Sequence, residues 1–237
     1  MTYLNTLANT GVQYAGSPSE RRSIYLSNTI SITFAFVGLL MSGLYYLWYG
    51  SSTITLIIAG ISVLCLSTLI FNSLNLSVVS RLWLCILIPV AVISLSLYSK
   101  TLYYANSEQL DYFTYRVVIL SSCIFPPVFF SLREKWFLIG ASTLIFLILF
   151  LHDPLHEYFG VPYRAGALSV SSYQFSNIVF MMMYLLMTGA VFFMKSVSEG
   201  NERKTEILIR ELNASNKKLT EKNREIESRS QEILVQT

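Results

Sequence analysis

The sequence predicts an all-α membrane protein: a polytopic bundle of six transmembrane helices followed by a C-terminal parallel dimeric coiled coil. Three observations predict it: six long apolar stretches, an uneven placement of basic residues between them, and a seven-residue repeat in a charged tail. Apolar residues make up 53% of the chain and charged residues only 13%, whereas a soluble domain carries about a quarter charged residues. This balance excludes an ordinary soluble domain.

The apolar stretches have about the length that a helix needs to cross a bilayer, roughly 20 residues. They cover residues 25–49, 52–73, 81–99, 112–132, 135–152 and 174–196. The fourth contains Arg116 and the pair Pro126-Pro127, and the fifth is the shortest. If either of these two did not span, the chain termini would lie on opposite faces of the membrane.

Basic residues predict the orientation, because cytoplasmic connections of membrane proteins are enriched in Lys and Arg. With the N-terminus inside, the cytoplasmic flanks carry six basic residues: Arg21, Arg22, Arg81, Arg133, Lys135 and Lys195. The outer connections keep three basic residues and four acids: Lys100, Arg116, Arg164, Glu108, Asp111, Asp153 and Glu157. We therefore expect both termini in the cytoplasm.

The segment before the first span, residues 1–24, is predicted to be cytoplasmic or interfacial. Ser17-Pro18-Ser19-Glu20 places a capping serine before a proline, with a glutamate three residues after the serine. This is the pattern of a helix N-terminus, so we expect one helix from Pro18 into the first span. For the residues before it, a short interfacial helix and disorder both remain open.

Residues 197–237, after the transmembrane sensor domain of residues 25–196, are predicted to form a coiled-coil signalling linker. Apolar residues recur there every seven positions, at position d of the heptad, and asparagines occupy two of the a positions, which form the other interface layer. The predicted interface consists of Ile209, Leu212, Asn216, Leu219, Asn223, Ile226 and Ile233. Asparagine in this layer favours a parallel dimer in register. A single solvated helix is the alternative.

Two further features of the tail suggest signalling. It follows the sixth span directly, with Gly200-Asn201 as the one candidate hinge. Its heptad remains in phase through Ile233-Leu234-Val235, with no C-terminal capping residue. We therefore expect the chain to be truncated before an output domain.

The layout resembles the membrane-sensing halves of six-helix bacterial sensor histidine kinases, including hydroxyketone quorum-sensing receptors, and of similar receptor-type nucleotide cyclases. The resemblance is carried by residues 19–28 (SERRSIYLSN) and residues 212–235 (LNASNKKLTEKNREIESRSQEILV). It implies a bacterial inner-membrane receptor of a two-component or cyclase pathway. Its motifs are short, and none transfers a ligand-binding residue to a numbered position here.

Arg116 is the strongest candidate for a site residue, because an ionisable group within a membrane segment is expensive and often functional. It could contact a ligand together with Asp111, Met182 and Met183, since methionines give the sixth span an adaptable apolar surface. Alternatively, Arg116 reaches the headgroups or pairs with Asp111, and the methionines are ordinary packing.

His152 and His156 lie in the longest outer connection, four residues apart. On a helix they would share a face, which suits binding of a divalent metal, and histidines titrate near neutral pH. Pro154 makes the helix less certain. Metal sensing, pH sensing and an ordinary solvated loop all remain open, and no resident metal is predicted.

These features predict a receptor that detects a small apolar or amphipathic ligand, or a membrane state. The expected partners are the lipid bilayer, a second copy of the chain and that ligand, with no nucleic acid and no cofactor. No catalytic residue is identified, so any catalysis would belong to the output domain. A small transporter or channel, or a non-catalytic anchor that recruits a partner through the coiled coil, are the alternatives.

Overall fold

A computed structural model describes residues 2–50, 52–103, 109–163 and 170–236, and the side chains of residues 3–48, 50, 52–102, 112–163 and 172–226. Within these ranges the regular structure is helical and contains no strand, which confirms the predicted all-α class. The helices are α1 (Thr2–Ala8), α2 (Pro18–Tyr49), α3 (Thr53–Cys65), α4 (Ser67–Ser73), α5 (Ser77–Tyr103), α6 (Gln109–Ser121), α7 (Phe125–Phe129), α8 (Lys135–Phe150), α9 (His152–Tyr158) and α10 (Val170–Gln236).

Several of these helices are long and apolar enough to cross a membrane. Among the described residues, five segments qualify: Pro18–Trp48, Thr53–Ser73, Ser77–Leu102, Tyr112–Phe129 and Ser172–Ile226. A sixth results if Leu132–Phe150 and His152–Tyr158, which are bent by 49°, form one crossing. Large apolar side chains such as Leu47 and Leu186 are exposed on them, a surface that suits lipid better than water.

The N-terminus of α2 has the predicted cap. Ser17 precedes the helix, Pro18 is its first residue, and the Ser17 hydroxyl accepts a hydrogen bond from the Glu20 backbone N–H at 3.1 Å. The Glu20 carboxylate accepts from the Gly16 N–H and from the Ser77 hydroxyl of α5. The cap therefore also links α2 to the start of α5.

The first residues form a helix, α1, that docks on α2; its location at a membrane interface stays a prediction. The Asn28 side-chain amide of α2 donates to the carbonyl oxygens of Ala8 at 3.1 Å and Thr10 at 2.8 Å. Gly11 then turns the chain with φ at +81°, and its backbone lies close to the Asn72 carbonyl of α4. Glycine is required there, because other residues resist this left-handed conformation.

Two of the apolar stretches are interrupted helices. The second breaks at Leu66 between α3 and α4, and the Ser31 hydroxyl donates to the Cys65 carbonyl next to the break. The fourth is divided into α6 and α7 by one 3₁₀ turn, and Pro126 lies in the first turn of α7, where a missing N–H costs little. At the first break a serine hydroxyl bonds to a backbone carbonyl that the helix leaves free. At the second, the proline lies where a helix needs no N–H donor.

A buried ion pair fixes the N-terminal end of α5. The Arg81 guanidinium is 1% exposed and makes two hydrogen bonds to the Glu134 carboxylate, at 2.9 and 3.0 Å. It also donates to the Phe129 carbonyl and lies over the Phe130 ring. Glu134 caps the turn before α8 through Ser131. We call this part of the fold the Arg81 end.

The C-terminal end of α5 carries Lys100. Because a helix rises about 1.5 Å per residue, Lys100 lies about 28 Å along the axis from Arg81. Between the two ends lie two apolar clusters, one containing Leu84 and Phe129 and the other containing Ile119 and Ile145, all 0% exposed. Charged groups therefore sit at the ends of an apolar interior.

The chain divides into two compact units, Met1–Phe192 and Phe193–Thr237. In the second unit α10 is helical through Gly200 and Asn201, so the predicted hinge is not present as a helix break. Ile209, Leu212, Leu219 and Ile226 are exposed on this single chain. The side chain of Ile233 lies outside the described residues.

Replacing Gly11 by Ala is expected to lower the free energy of unfolding by at least about 1–2 kcal/mol, the cost of a left-handed conformation with a Cβ. A Cβ there would also lie 2.3 Å from the Asn72 carbonyl oxygen. Thermal unfolding in lipid nanodiscs measures the effect. Gly60→Ala is the control, since a Cβ at Gly60 meets nothing within 4 Å. Equal melting temperatures for the two variants would contradict the docking of α1.

Candidate functional site

Ionisable, hydroxyl and amide side chains from four helices meet at the end of α5 opposite to Arg81. The contributing helices are α5, α6, α9 and the beginning of α10. We call this set the Arg116 network, and it comprises Ser96, Lys100, Arg116, His152, Asp153, His156, Tyr173 and Asn177. Buried groups of this kind are costly in an apolar bundle unless they are paired.

Local sequence explains why α9 forms in the middle of the predicted loop. Asp153 and Pro154 occupy its first turn, where an acid complements the helix dipole and a proline needs no N–H partner. Gly160, with φ at +71°, ends it: the Val161 N–H donates to the His156 carbonyl and the Gly160 N–H to the Glu157 carbonyl. These two backbone hydrogen bonds, together with a glycine in the left-handed conformation, form a Schellman motif.

Arg116 is the centre of the network. Its side chain is 3% exposed, and its guanidinium donates to the Asp153 carboxylate, to the Tyr173 hydroxyl and, through Nε at 3.2 Å, to His152 Nδ1. The Tyr173 ring also lies under the guanidinium, 4.9 Å from it. One side chain of α6 thus contacts both α9 and α10.

Asp153 is the matching anion, and it joins α9 to α10. Its carboxylate accepts hydrogen bonds from the Tyr173 hydroxyl at 2.6 Å and from the Asn177 side-chain amide. Tyr173 and Asn177 are four residues apart and therefore share one face of α10. With Arg116, three donors converge on a single carboxyl group.

Lys100 forms the second cationic centre, on α5. Its ammonium group donates to Ser96 Oγ and His156 Nε2, both at 3.1 Å, and lies 3.6 Å from the centre of the Tyr112 ring. The Tyr112 hydroxyl donates to the Pro162 carbonyl at 3.0 Å. A lysine that is 1% exposed is thus surrounded by lone pairs and an aromatic face.

The two histidines lie between these cations. His152 is 0% and His156 is 1% exposed, and their rings stack with centres 4.2 Å apart. The two histidines share a helix face, as expected if this segment were helical. The alternative of an ordinary solvated loop is not observed, because both side chains are buried in a helix. A metal cation would have to approach beside Lys100 and Arg116, and the described residues contain no group of three or more metal-binding side chains.

The network includes some of the predicted site residues and not others. Arg116, His152 and His156 are in it. The side chain of Asp111 lies outside the described residues, and so does its predicted pairing with Arg116. Met182 and Met183 are exposed on α10, whereas Met181 borders a small cavity beside Arg116, Asp153 and Asn177.

That cavity measures about 10 Å³, which is space for about one water molecule. Asn177 Oδ1 is buried and has no protein partner within the described residues. The cavity can therefore hold one small polar group that donates a hydrogen bond.

Several network residues were not singled out from the sequence. Asp153 and Lys100 appeared only as flanking charges, and Tyr173 appeared not at all. Asn177 could have been recognised from the sequence as a site residue, because an amide inside the apolar stretch 174–196 requires a hydrogen-bond partner. Nothing local in the sequence pairs it with Asp153.

Catalysis is not favoured by this arrangement. Ser96 Oγ lies 3.0 Å from His156 Nε2, which is the spacing of a nucleophile and its base. Both groups are fully or almost fully buried, however, and the Lys100 ammonium donates to both. The network holds helices together rather than presenting a reactive group.

Comparison with known proteins found no matching family model, no matching curated protein and no matching solved structure.

Replacing Tyr173 by Phe removes a hydroxyl that accepts from Arg116 and donates to Asp153. We expect the free energy of unfolding to fall by about 1.5–3 kcal/mol, the usual contribution of a hydrogen bond to a charged group. Tyr158→Phe is the matched control, because Tyr158 is 83% exposed. Thermal unfolding of both variants in nanodiscs measures the difference, and a Tyr173→Phe protein as stable as the control would contradict the geometry.

Proposed function

We propose that this chain is the membrane-embedded sensing and transmitting module of a dimeric receptor. The observation that carries the proposal is the contact of Asp153 with Arg116 on one side and with Tyr173 and Asn177 on the other. It links α6 and α9 to α10, the same helix that includes the heptad positions of the tail. Any stimulus that shifts α9 would therefore act on α10.

The proposed location is a bacterial inner membrane, with α8 and α9 together forming one of six crossings and both termini in the cytoplasm. Five long apolar helices and one bent pair support the count. Arg21 and Arg133 are exposed beside the Arg81 end, as expected for a cytoplasmic face. Asp153, a member of the Arg116 network, and the exposed Glu157 are both on α9, on the predicted outer side.

The Arg116 network could act as a latch between α9 and α10, because the stability of their contact depends on a few groups. An ion pair within an apolar bundle is stable only while both partners remain in place, since an unpaired buried charge is strongly unfavourable. A ligand shifts such a latch only if it binds one arrangement more tightly than the other. We propose a small apolar or amphipathic ligand, or a change in the bilayer, as the stimulus.

The tail supports a parallel dimer as the output route. Leu212, Leu219 and Ile226 are exposed on the single chain, and a second copy in register would cover them. Tethering of both tails to one membrane raises their effective concentration. In this proposal the dimer passes the signal to a cytoplasmic output domain of the histidine kinase or cyclase type.

A transporter is the second candidate, and the broken helices favour it. Interruptions between α3 and α4 and between α6 and α7 are features that transporters use near their substrate sites. Ion or solute flux into proteoliposomes that contain the chain would support this reading over the receptor.

Disulfide crosslinking in membranes tests the receptor proposal, with Cys65, Cys85 and Cys123 replaced. Cysteine at Leu212 is expected to crosslink at least several-fold faster than cysteine at Ala214, which lies on the opposite face of the predicted coiled coil. Adding Asp153→Asn is expected to change the ratio of the two rates, because the link to α10 is weakened.

Glu157→Gln is the control for this experiment, since Glu157 is a neighbouring acid of α9 that is exposed. It should leave the ratio unchanged. Equal crosslinking at the two positions would contradict the dimer. A ratio that is unaffected by Asp153→Asn would contradict the transmission route.

A further inference from the structure

The hydrogen bonds of His156 determine its protonation state. Its Nε2 lies 3.1 Å from the Lys100 ammonium, which can only donate, so Nε2 must be an acceptor. Its Nδ1 lies 2.6 Å from the His152 carbonyl oxygen, which can only accept, so Nδ1 carries the proton. His156 is therefore neutral, with its hydrogen on Nδ1.

His152 is neutral as well, but with its hydrogen on the other nitrogen. The Arg116 Nε–H donates to His152 Nδ1 at 3.2 Å, so Nδ1 accepts and the proton is on Nε2. That Nε2 is buried and has no partner within the described residues. Two neutral imidazoles of opposite tautomers thus stack between two cations.

We propose that α9 is a proton-sensitive latch: it docks only while His152 and His156 are both neutral acceptors for Arg116 and Lys100, and its release lets both histidines take up protons. Protonation of either ring would remove an accepted hydrogen bond and place a second positive charge beside an existing one. The docking of α9 does not depend on the proposed receptor function. The effect of its release on α10, through Asp153, rests on that proposed function.

The charges around the two rings oppose protonation more than they favour it. From α5 the facing group is Lys100, and from α6 they are Arg116 and the phenols of Tyr112 and Tyr115. Asp153 of α9 is the one described anion nearby, 3.5 Å from His152 Nδ1, and Arg116 already pairs with it.

Two further phenols, those of Tyr163 in the segment after α9 and of Tyr173 in α10, pack on the Tyr112 ring. Glu157 is exposed on α9. The side chains of Glu108, Asp111 and Arg164 lie outside the described residues.

The direction of the pH effect follows from linkage. A released histidine in contact with water has a pKa near 6.5. Because the released form binds protons that the docked form excludes, docking is strongest above about pH 6.5 and weakens as the pH falls below it. The ratio of docked to released α9 is expected to fall up to tenfold per pH unit for each histidine, and up to a hundredfold for both.

Nitrogen-15 NMR of histidine-labelled full-length chain in nanodiscs tests the tautomers. These are the only two histidines of the chain, and a single His→Gln variant assigns each signal. At pH 8 we expect one neutral ring protonated on Nδ1 (His156) and one on Nε2 (His152). Two identical tautomers, or an imidazolium at pH 8, would overturn the proposal.

Thiol labelling tests the release. A cysteine at Val161, which is 4% exposed, is compared with one at Tyr158, which is 83% exposed, after replacement of the native cysteines. The ratio of the two labelling rates cancels the pH dependence of the thiol itself. The ratio should rise by up to about tenfold per pH unit below about 6.5 for each histidine that takes up a proton, and by less in each His→Gln variant. A ratio that does not change with pH would overturn the proposal.

Crosslinking at Leu212 in the same samples separates this proposal from the receptor function. If acid raises the labelling ratio and crosslinking does not change, the latch is supported and the transmission to the tail is contradicted.

Discussion

The pair formed by Arg116 and Asp153 is the interaction on which the arrangement of the C-terminal half of the bundle depends. The guanidinium is almost completely buried, whereas the carboxylate side chain is 35% exposed. A buried guanidinium without its anion is costly in an apolar bundle, so α9 must stay where Asp153 meets Arg116. Tyr173 and Asn177 then bind to the same carboxylate, and this fixes the beginning of α10.

The two ends of α5 use the same chemistry for different purposes. At the Arg81 end, the Arg81–Glu134 pair is completed by a backbone carbonyl and a helix cap, and every polar group of the pair is used. In the Arg116 network, His152 Nε2 and Asn177 Oδ1 have no described partner. Incompletely satisfied polar groups lower the stability of a contact, so the contacts of the Arg116 network are less completely bonded than the Arg81–Glu134 pair itself.

The sequence predicts the parts of this fold that depend on local composition. The all-α class, the cap at Ser17 and the importance of Arg116 follow from hydropathy, from a four-residue pattern and from the cost of a charge in an apolar stretch. The pairing of Arg116 with Asp153 does not follow, because it joins residues 37 positions apart through a bend that hydropathy does not detect. Sequence spacing indicated instead Asp111, the nearest acid along the chain.

A double-mutant cycle at Arg116 and Asp153 tests the central claim most directly. Asp153→Asn should lower the free energy of unfolding in nanodiscs by up to about 3–5 kcal/mol, because it leaves the buried Arg116 guanidinium without its anion. Arg116→Gln should lower it by less, because the Asp153 side chain is 35% exposed and keeps its hydrogen bonds from Tyr173 and Asn177. The double variant should lose much less than the sum, since neighbouring amides can bond to each other. Additive losses, or a single variant as stable as the natural chain, would contradict the account.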